Sequence, residues 1–214
     1  MVNNQDYLDE GAARKEIVKW GKEIYNKGLV NGTGGNLSIK ISPEIILCTP
    51  SGWSLGNLTE DSITKASIYG EIYEGLKPTK ELFMHVAVYK ERQDISAIAH
   101  THSINAVTYA CVMKPGQQMP LYIPSVVAKV GIVEVTPFHL PASEELGRVA
   151  AEGIKESQAV LLQNHGVLSV GKTLEDAIGV AFEVEDNAKI YFLSNGKAEP
   201  LEDSVLLKIK GTYK

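Results

Sequence analysis

The chain has 214 residues, 44% hydrophobic and 22% charged, with a formal net charge of -5, a balance that suits a soluble globular protein with one sizeable core. The charge is spread without any long Lys/Arg block, which argues against nucleic acid as the main partner. No apolar run is long enough to span a bilayer, the N-terminus lacks the basic start and apolar stretch of a signal peptide, and Cys48 and Cys111 suggest no disulfide framework, so a reduced, cytoplasmic setting away from membranes is expected.

Residues 9–27 read as an amphipathic helix, with Ala13, Ile17, Trp20 and Ile24 on one stripe and Gly28 as the C-cap. The run Asn31-Gly32-Thr33-Gly34-Gly35-Asn36 is too rich in glycine for a regular element. Residues 37–40 and 45–49 look like paired strands around Ser42-Pro43-Glu44. A turn at 50–53 leads to a strand over 63–73 that bends at Gly70. Thr79 is a suitable N-cap for a helix from Lys80 to about Arg92.

A strand over 95–101 follows, then a short helix over 104–112. Pro120 and Pro124 interrupt the apolar segment 117–129, which resists assignment. Residues 132–136 read as strand and 143–157 as helix with acidic residues in its first turn. Two strands, 159–162 and 167–170, flank Gln163-Asn164-His165-Gly166. The longest helix spans 173–193 and closes at Asn195-Gly196. The tail, 197–214, is mixed in character, and a mobile end is the expectation. With no repeat, linker or low-complexity segment, the expectation is a single α/β domain over 1–214 with a mixed, mainly antiparallel sheet covered by helices.

Chemistry concentrates at Ala99-His100-Thr101-His102-Ser103. Side chains two apart on an extended segment share a face, so His100 and His102 present two imidazoles side by side. Alone, such a pair reads rather as a strand end, with one ring solvated and the other bonded to a backbone carbonyl. His165 adds a third imidazole, in a tight turn where Gly166 permits an unusual backbone path. Three histidines with an open position are a known catalytic zinc arrangement. Glu81, in the first turn of its helix, either answers the helix dipole or serves as a fourth ligand or proton-transfer base. His85, one turn later on the same face, reads as packing or as support behind the ligands.

Three segments resemble anion sites. The loop 32–36 offers backbone N–H groups, Ser51-Gly52 offers a hydroxyl and a close backbone, and Thr79-Lys80 places a hydroxyl and a cation at a helix start. No ATP-binding P-loop and no dinucleotide fingerprint is present.

Taken in order, these motifs resemble the class II aldolase/adducin family, and most closely its sugar-phosphate enzymes such as L-fuculose-1-phosphate aldolase. The resemblance rests on Gly32-Thr33-Gly34-Gly35-Asn36-Leu37-Ser38, Thr49-Pro50-Ser51-Gly52 and Lys77-Pro78-Thr79-Lys80-Glu81. His100-Thr101-His102 and Leu161-Leu162-Gln163-Asn164-His165-Gly166 complete it. It implies an α/β/α sandwich, usually a homotetramer with active sites at subunit borders. It also implies one Zn2+ on His100, His102 and His165, with Glu81 as acid/base residue that also reaches the metal. Phosphate contacts fall on Gly35, Asn36, Ser51, Gly52, Thr79 and Lys80.

The implied activity is lysis of a carbon–carbon bond: retro-aldol cleavage of a ketose 1-phosphate to dihydroxyacetone phosphate and an aldehyde, through a metal-stabilised enediolate. Two alternatives stand beside it. Lys80, where the aldolases have serine, and Lys129 suit a branch that decarboxylates 3-oxo-tetronate 4-phosphates. The adducin branch uses the fold for protein interaction without catalysis. A tyrosine lent between aldolase subunits meets Ile123 here, with Tyr122 beside it, and a C-terminal tyrosine corresponds to Tyr213; Tyr122, Lys129 and Tyr213 are therefore candidate substrate contacts.

Overall fold

The computed structural model describes residues 7–212. Helix α1 spans Glu10–Asn26, with the Asp9 carboxylate accepting from the Ala12 N–H at 3.0 Å. Lys27 caps its end, and Gly28 follows at φ 75°, a conformation that suits glycine. The buried stripe is Ala13, Ile17, Gly21 and Ile24, and Trp20 packs partly buried at its edge. Gly21 faces the Leu55 carbonyl, where a Cβ would come within 2.9 Å. Trp20 lies half-buried beside it and donates its indole N–H to Glu16.

The strands are β1 (Asn36–Lys40), β2 (Ile45–Cys48), β3 (Thr64–Ser67), β4 (Ile72–Glu74), β5 (Ala97–Thr101), β6 (Val135–Thr136), β7 (Ala159–Leu162) and β8 (Gly166–Gly171). They form one eight-stranded sheet in the order β4-β3-β2-β1-β5-β8-β7-β6. Every pair is antiparallel except β6 with β7, so the sheet is mixed and mainly antiparallel, as expected.

Alternation along the strands divides the core between the two faces. Ile46, Ile98, Val160, Leu162, Leu168 and Val170 pack against α2 (Leu82–Glu91) and α5 (Glu144–Gly153). Leu37, Ile39, Leu47, Ala97 and Ala99 turn the other way, against α1 and the start of α6 (Leu174–Leu193). Leu161 and Val167 join a third cluster with α3 (Ile104–Val112), α4 (Pro124–Lys129) and the rest of α6. Helices thus cover both faces in one α/β domain.

Several expectations change. The strand over 132–136 shortens to β6, and the helix over 143–157 ends at Gly153. The helix expected from Lys80 starts at Leu82, because residues 79–81 form a turn in which Glu81 is the N-cap residue. The unassigned segment 117–129 ends in α4, opened by Pro124 at the position where a missing N–H costs nothing. The tail carries α7 (Asp203–Thr212), whose Leu206 and Ile209 pack on the third cluster. Among the described residues no helix is long and apolar enough to cross a membrane.

Candidate metal and anion site

His100 lies on β5, paired with Asn36 of β1 on one side and Leu168 of β8 on the other. His102 follows just past the strand end, its N–H on the Leu29 carbonyl at 3.0 Å. His165 sits in the turn between β7 and β8. The pairing of Thr101 with Val167 brings that turn alongside the other two histidines. Ring centroids lie 4.7 Å (His100–His102), 4.8 Å (His100–His165) and 5.4 Å (His102–His165) apart. One ligand atom from each of the three lies within 4.8 Å of the others.

Glycines make the approach possible. The left-handed residue of the turn is Asn164, at φ 55°, not Gly166 as the sequence suggests. Gly166 is needed for space: a Cβ there would lie 2.5 Å from the Thr101 carbonyl and 2.9 Å from both His100 and His102. A Cβ on Gly34 would lie 2.8 Å from His102 Nδ1, and one on Gly35 2.8 Å from the His100 carbonyl.

The Glu81 carboxylate faces this cluster. Its Oε2 lies 3.2 Å from His100 Nε2 and its Oε1 3.2 Å from His165 Nε2. Burial pushes the carboxyl up, but His100, His165 and the Asn36 amide outweigh that and hold it well below the usual carboxylate range. Burial pushes His100 down to about 3, and His102 is also lowered by burial. His100 donates from Nδ1 to the Val167 carbonyl at 2.9 Å, which turns the lone pair of Nε2 toward the cluster. Its Nε2 stands 2.9 Å from His102 Nε2, so these two nitrogens converge. Glu81 Oε1 is buried without a properly directed hydrogen bond. Imidazole nitrogens gathered with a carboxylate oxygen that lacks a partner fit a divalent cation, and zinc takes such donors at about 2.0–2.2 Å.

The three segments expected to hold an anion meet beside this cluster, and Thr49 joins them. Its N–H donates to the Leu37 carbonyl, its hydroxyl accepts from the Leu37 N–H, and its carbonyl accepts from the Thr79 N–H. Ser51 donates its N–H to the Lys77 carbonyl at 2.8 Å. Gly35-Asn36, Ser51-Gly52 and Thr79-Lys80, far apart in sequence, therefore converge in one place. Gly52 adopts φ 77° with open space around its Cα, and Lys80 is exposed at the rim.

The profile of the class II aldolase and adducin N-terminal domain matches residues 15–192. The chain belongs to the class II aldolase and adducin family. A 3-oxo-tetronate 4-phosphate decarboxylase of Pectobacterium atrosepticum is 35% identical over 186 residues, covering 86% of this chain and 85% of the relative. A 5-deoxy-D-ribulose 1-phosphate aldolase of Bacillus thuringiensis is 35% identical over 190 residues, 87% of each chain. A solved L-fuculose 1-phosphate aldolase superposes with a TM-score of 0.87 at 31% identity, covering 94% of this chain and 96% of that one.

The remaining candidates of this family member stand differently. Tyr122 is half-buried, and its backbone N–H is held by the buried Asn187 of α6 at 3.0 Å. Lys129 pairs with Glu183 at 2.9 Å and borders a broad groove with Asp94, Ser157 and Lys172. That groove lies where β5 begins and β8 ends, whereas the histidines lie where β5 ends and β8 begins. Tyr213 falls outside the described residues. The sequence reading gave Asn36 to phosphate and missed its bond to Glu81, although His85, four residues after Glu81, was a signal for support behind the carboxylate.

Proposed function

We propose that this chain is a metal-dependent lyase that breaks a carbon–carbon bond in a phosphorylated, ketone-bearing substrate, and that the reaction is decarboxylation of a 3-oxo-tetronate 4-phosphate. The observation that carries the reading is Glu81, buried beside the three imidazoles where segments 35–36, 51–52 and 79–80 converge. Phosphate sits against residues 35–36, 51–52 and 79. The cation at Lys80 answers the second negative charge that a sugar acid adds. When bound, zinc supplies Lewis-acid polarisation of the substrate carbonyl, typically worth several kcal/mol.

The bond between the carboxylate carbon and C2 breaks, its electron pair passes into the enolate, and carbon dioxide leaves. C2 then takes a proton delivered by Glu81, which is refilled from water, and the product is dihydroxyacetone phosphate. One proton-transfer group suffices. Retro-aldol cleavage of a ketose 1-phosphate leaves the same three-carbon fragment, but a second group must also deprotonate the hydroxyl of the leaving aldehyde. Among the described residues, Glu81 is the carboxylate that pairs with the cluster. The aldolase reading remains the second choice, favoured by the 35% identity to the Bacillus thuringiensis enzyme.

Zinc-loaded protein should release carbon dioxide and dihydroxyacetone phosphate in equal amounts from the oxo-acid phosphate. Triose phosphate from ketose 1-phosphates, with no carbon dioxide from the oxo acid, would establish the aldolase instead. No product from either, with zinc bound, would leave an adducin-like interaction module. We further propose a homotetramer, supported by exposed Ile104, Leu193 and Leu207; light scattering at the mass of one chain, 23.3 kDa, would overturn that.

A further inference from the structure

The face of β1 toward α2 carries Asn36, Ser38 and Lys40, all buried. Buried polar groups persist only when they are hydrogen-bonded, and here they meet His85 and Tyr89, one turn apart on α2. Asn36 Nδ2 lies 2.9 Å from Glu81 Oε2, and Asn36 Oδ1 lies 2.5 Å from His85 Nε2. His85 Nδ1 lies 2.7 Å from Ser38 Oγ, which lies 2.9 Å from the Tyr89 hydroxyl. Tyr89 OH also reaches the carbonyls of Ser38 and Ser96, at 3.1 and 3.3 Å. None of the five side-chain partners, Glu81 included, is more than 7% exposed.

Counting donors gives this chain of contacts one direction. An ionised carboxylate only accepts, so Asn36 turns its NH2 toward Glu81 and its carbonyl toward His85. A carbonyl also only accepts, so the His85 proton is on Nε2. Nδ1 is then the acceptor, and Ser38 gives it its single hydroxyl proton. With the Ser38 proton committed to His85, Tyr89 is the donor in its contacts, its single proton shared among Ser38 Oγ and the carbonyls of Ser38 and Ser96. From Ser38 onward, each donor points toward Glu81.

We propose that His85 is a positioning residue for Glu81, acting through Asn36. As the Nε2–H tautomer it fixes the amide so that Glu81 Oε2 is reserved as an acceptor. The proton that Glu81 carries during turnover then sits on Oε1, the buried oxygen without a hydrogen bond that faces His165. A flipped amide would set its carbonyl against the carboxylate and break the bonds at both of its ends. This rests on Glu81 as the proton carrier, but the arrangement itself can be tested without turnover.

Nitrogen-15 NMR of the zinc-free protein should show the His85 ring protonated on Nε2 and accepting at Nδ1; a proton on Nδ1 would overturn the proposal. His85→Leu removes the donor at similar volume, and His85→Gln restores an N–H facing Asn36. His85→Leu should lower zinc affinity in chelator competition by about 10–100-fold, as loss of a group behind a metal ligand commonly does, with His85→Gln recovering most of it. Equal loss in both variants, or none in His85→Leu, would refute positioning. Should His85→Leu fail to fold, the tautomer and His85→Gln still decide. Failure of the lyase reading is separate, since it would appear as no turnover by the unaltered protein.

Discussion

Replacing Gly166 with alanine tests whether space, not backbone freedom, governs the histidine cluster. Gly166 is not among the residues with positive φ, so alanine is conformationally ordinary there. The added Cβ would lie 2.5 Å from the Thr101 carbonyl and 2.9 Å from His100 Cε1 and His102 Cδ2, where 3.4 Å begins ordinary contact. The backbone carbonyl cannot swing aside as a side chain does, so β8 and the two rings must separate by close to an ångström. Overpacking of this kind costs about 1–3 kcal/mol. A shift on the order of 1 Å at reacting groups costs about a hundredfold in rate. Denaturant unfolding, zinc competition against a chelator and turnover would read the three effects. Gly179→Ala on α6, where a Cβ meets nothing within 4 Å, is the control and should gain about 0.5–1 kcal/mol. Undiminished zinc affinity and turnover in Gly166→Ala would refute the reasoning.

Glu81→Gln keeps shape and an oxygen to accept from Asn36 but carries no transferable proton; turnover should fall by about 10²–10⁴-fold, while a rate within a few-fold of the original would remove Glu81 from the chemistry. Zinc-free protein should lose stability on acidification, because burial lowers His85 to about 4 and His100 to about 3 from 6.5. The unfolded chain then binds more protons below pH 6.5, so the stability is fully present above that value and lost as pH falls toward 4, by roughly 3 kcal/mol for His85 alone; unfolding curves flat over that window would contradict this. Arg92→Leu should destabilise by about 2 kcal/mol or more, since Arg92 Nη1 holds the carbonyls of Ile154 and Ser157 at 2.8 and 2.7 Å; urea midpoints check it.

Much of the site was legible because its parts are local. His100 and His102 share a face by strand geometry, and the glycine-rich loop and the Asn-His-Gly turn announce themselves by residue type. Helix boundaries held where a cap is visible, as at Thr173, which forms a capping box with Asp176. They slipped where tertiary contacts decide. The Thr79 hydroxyl does accept from the Glu81 N–H, at 3.3 Å, but it closes a turn ahead of the helix, which begins at Leu82. Trp20 packs at the edge of the core as its hydrophobicity suggests, but Gly21 takes the fully buried place against Leu55. The partner of Lys129 was not readable either: the fold pairs it with Glu183 while leaving its side chain largely exposed.

By itself the sequence determined the alternation of strands and helices, the residue types that gather a cation and an anion, and the family. The folded chain alone decided which strands are neighbours, placing β1 between β2 and β5 and β5 against β8. That order brings His165 to His100 and passes hydrogen bonds from Tyr89 through His85 to Glu81. Residue types and spacing act over a few positions, whereas these contacts span 45 to 51 residues along the β1–α2 path. Only packing of the sheet against its helices fixes such distances, because each pair stays together through burial and hydrogen bonds that the other contacts make possible.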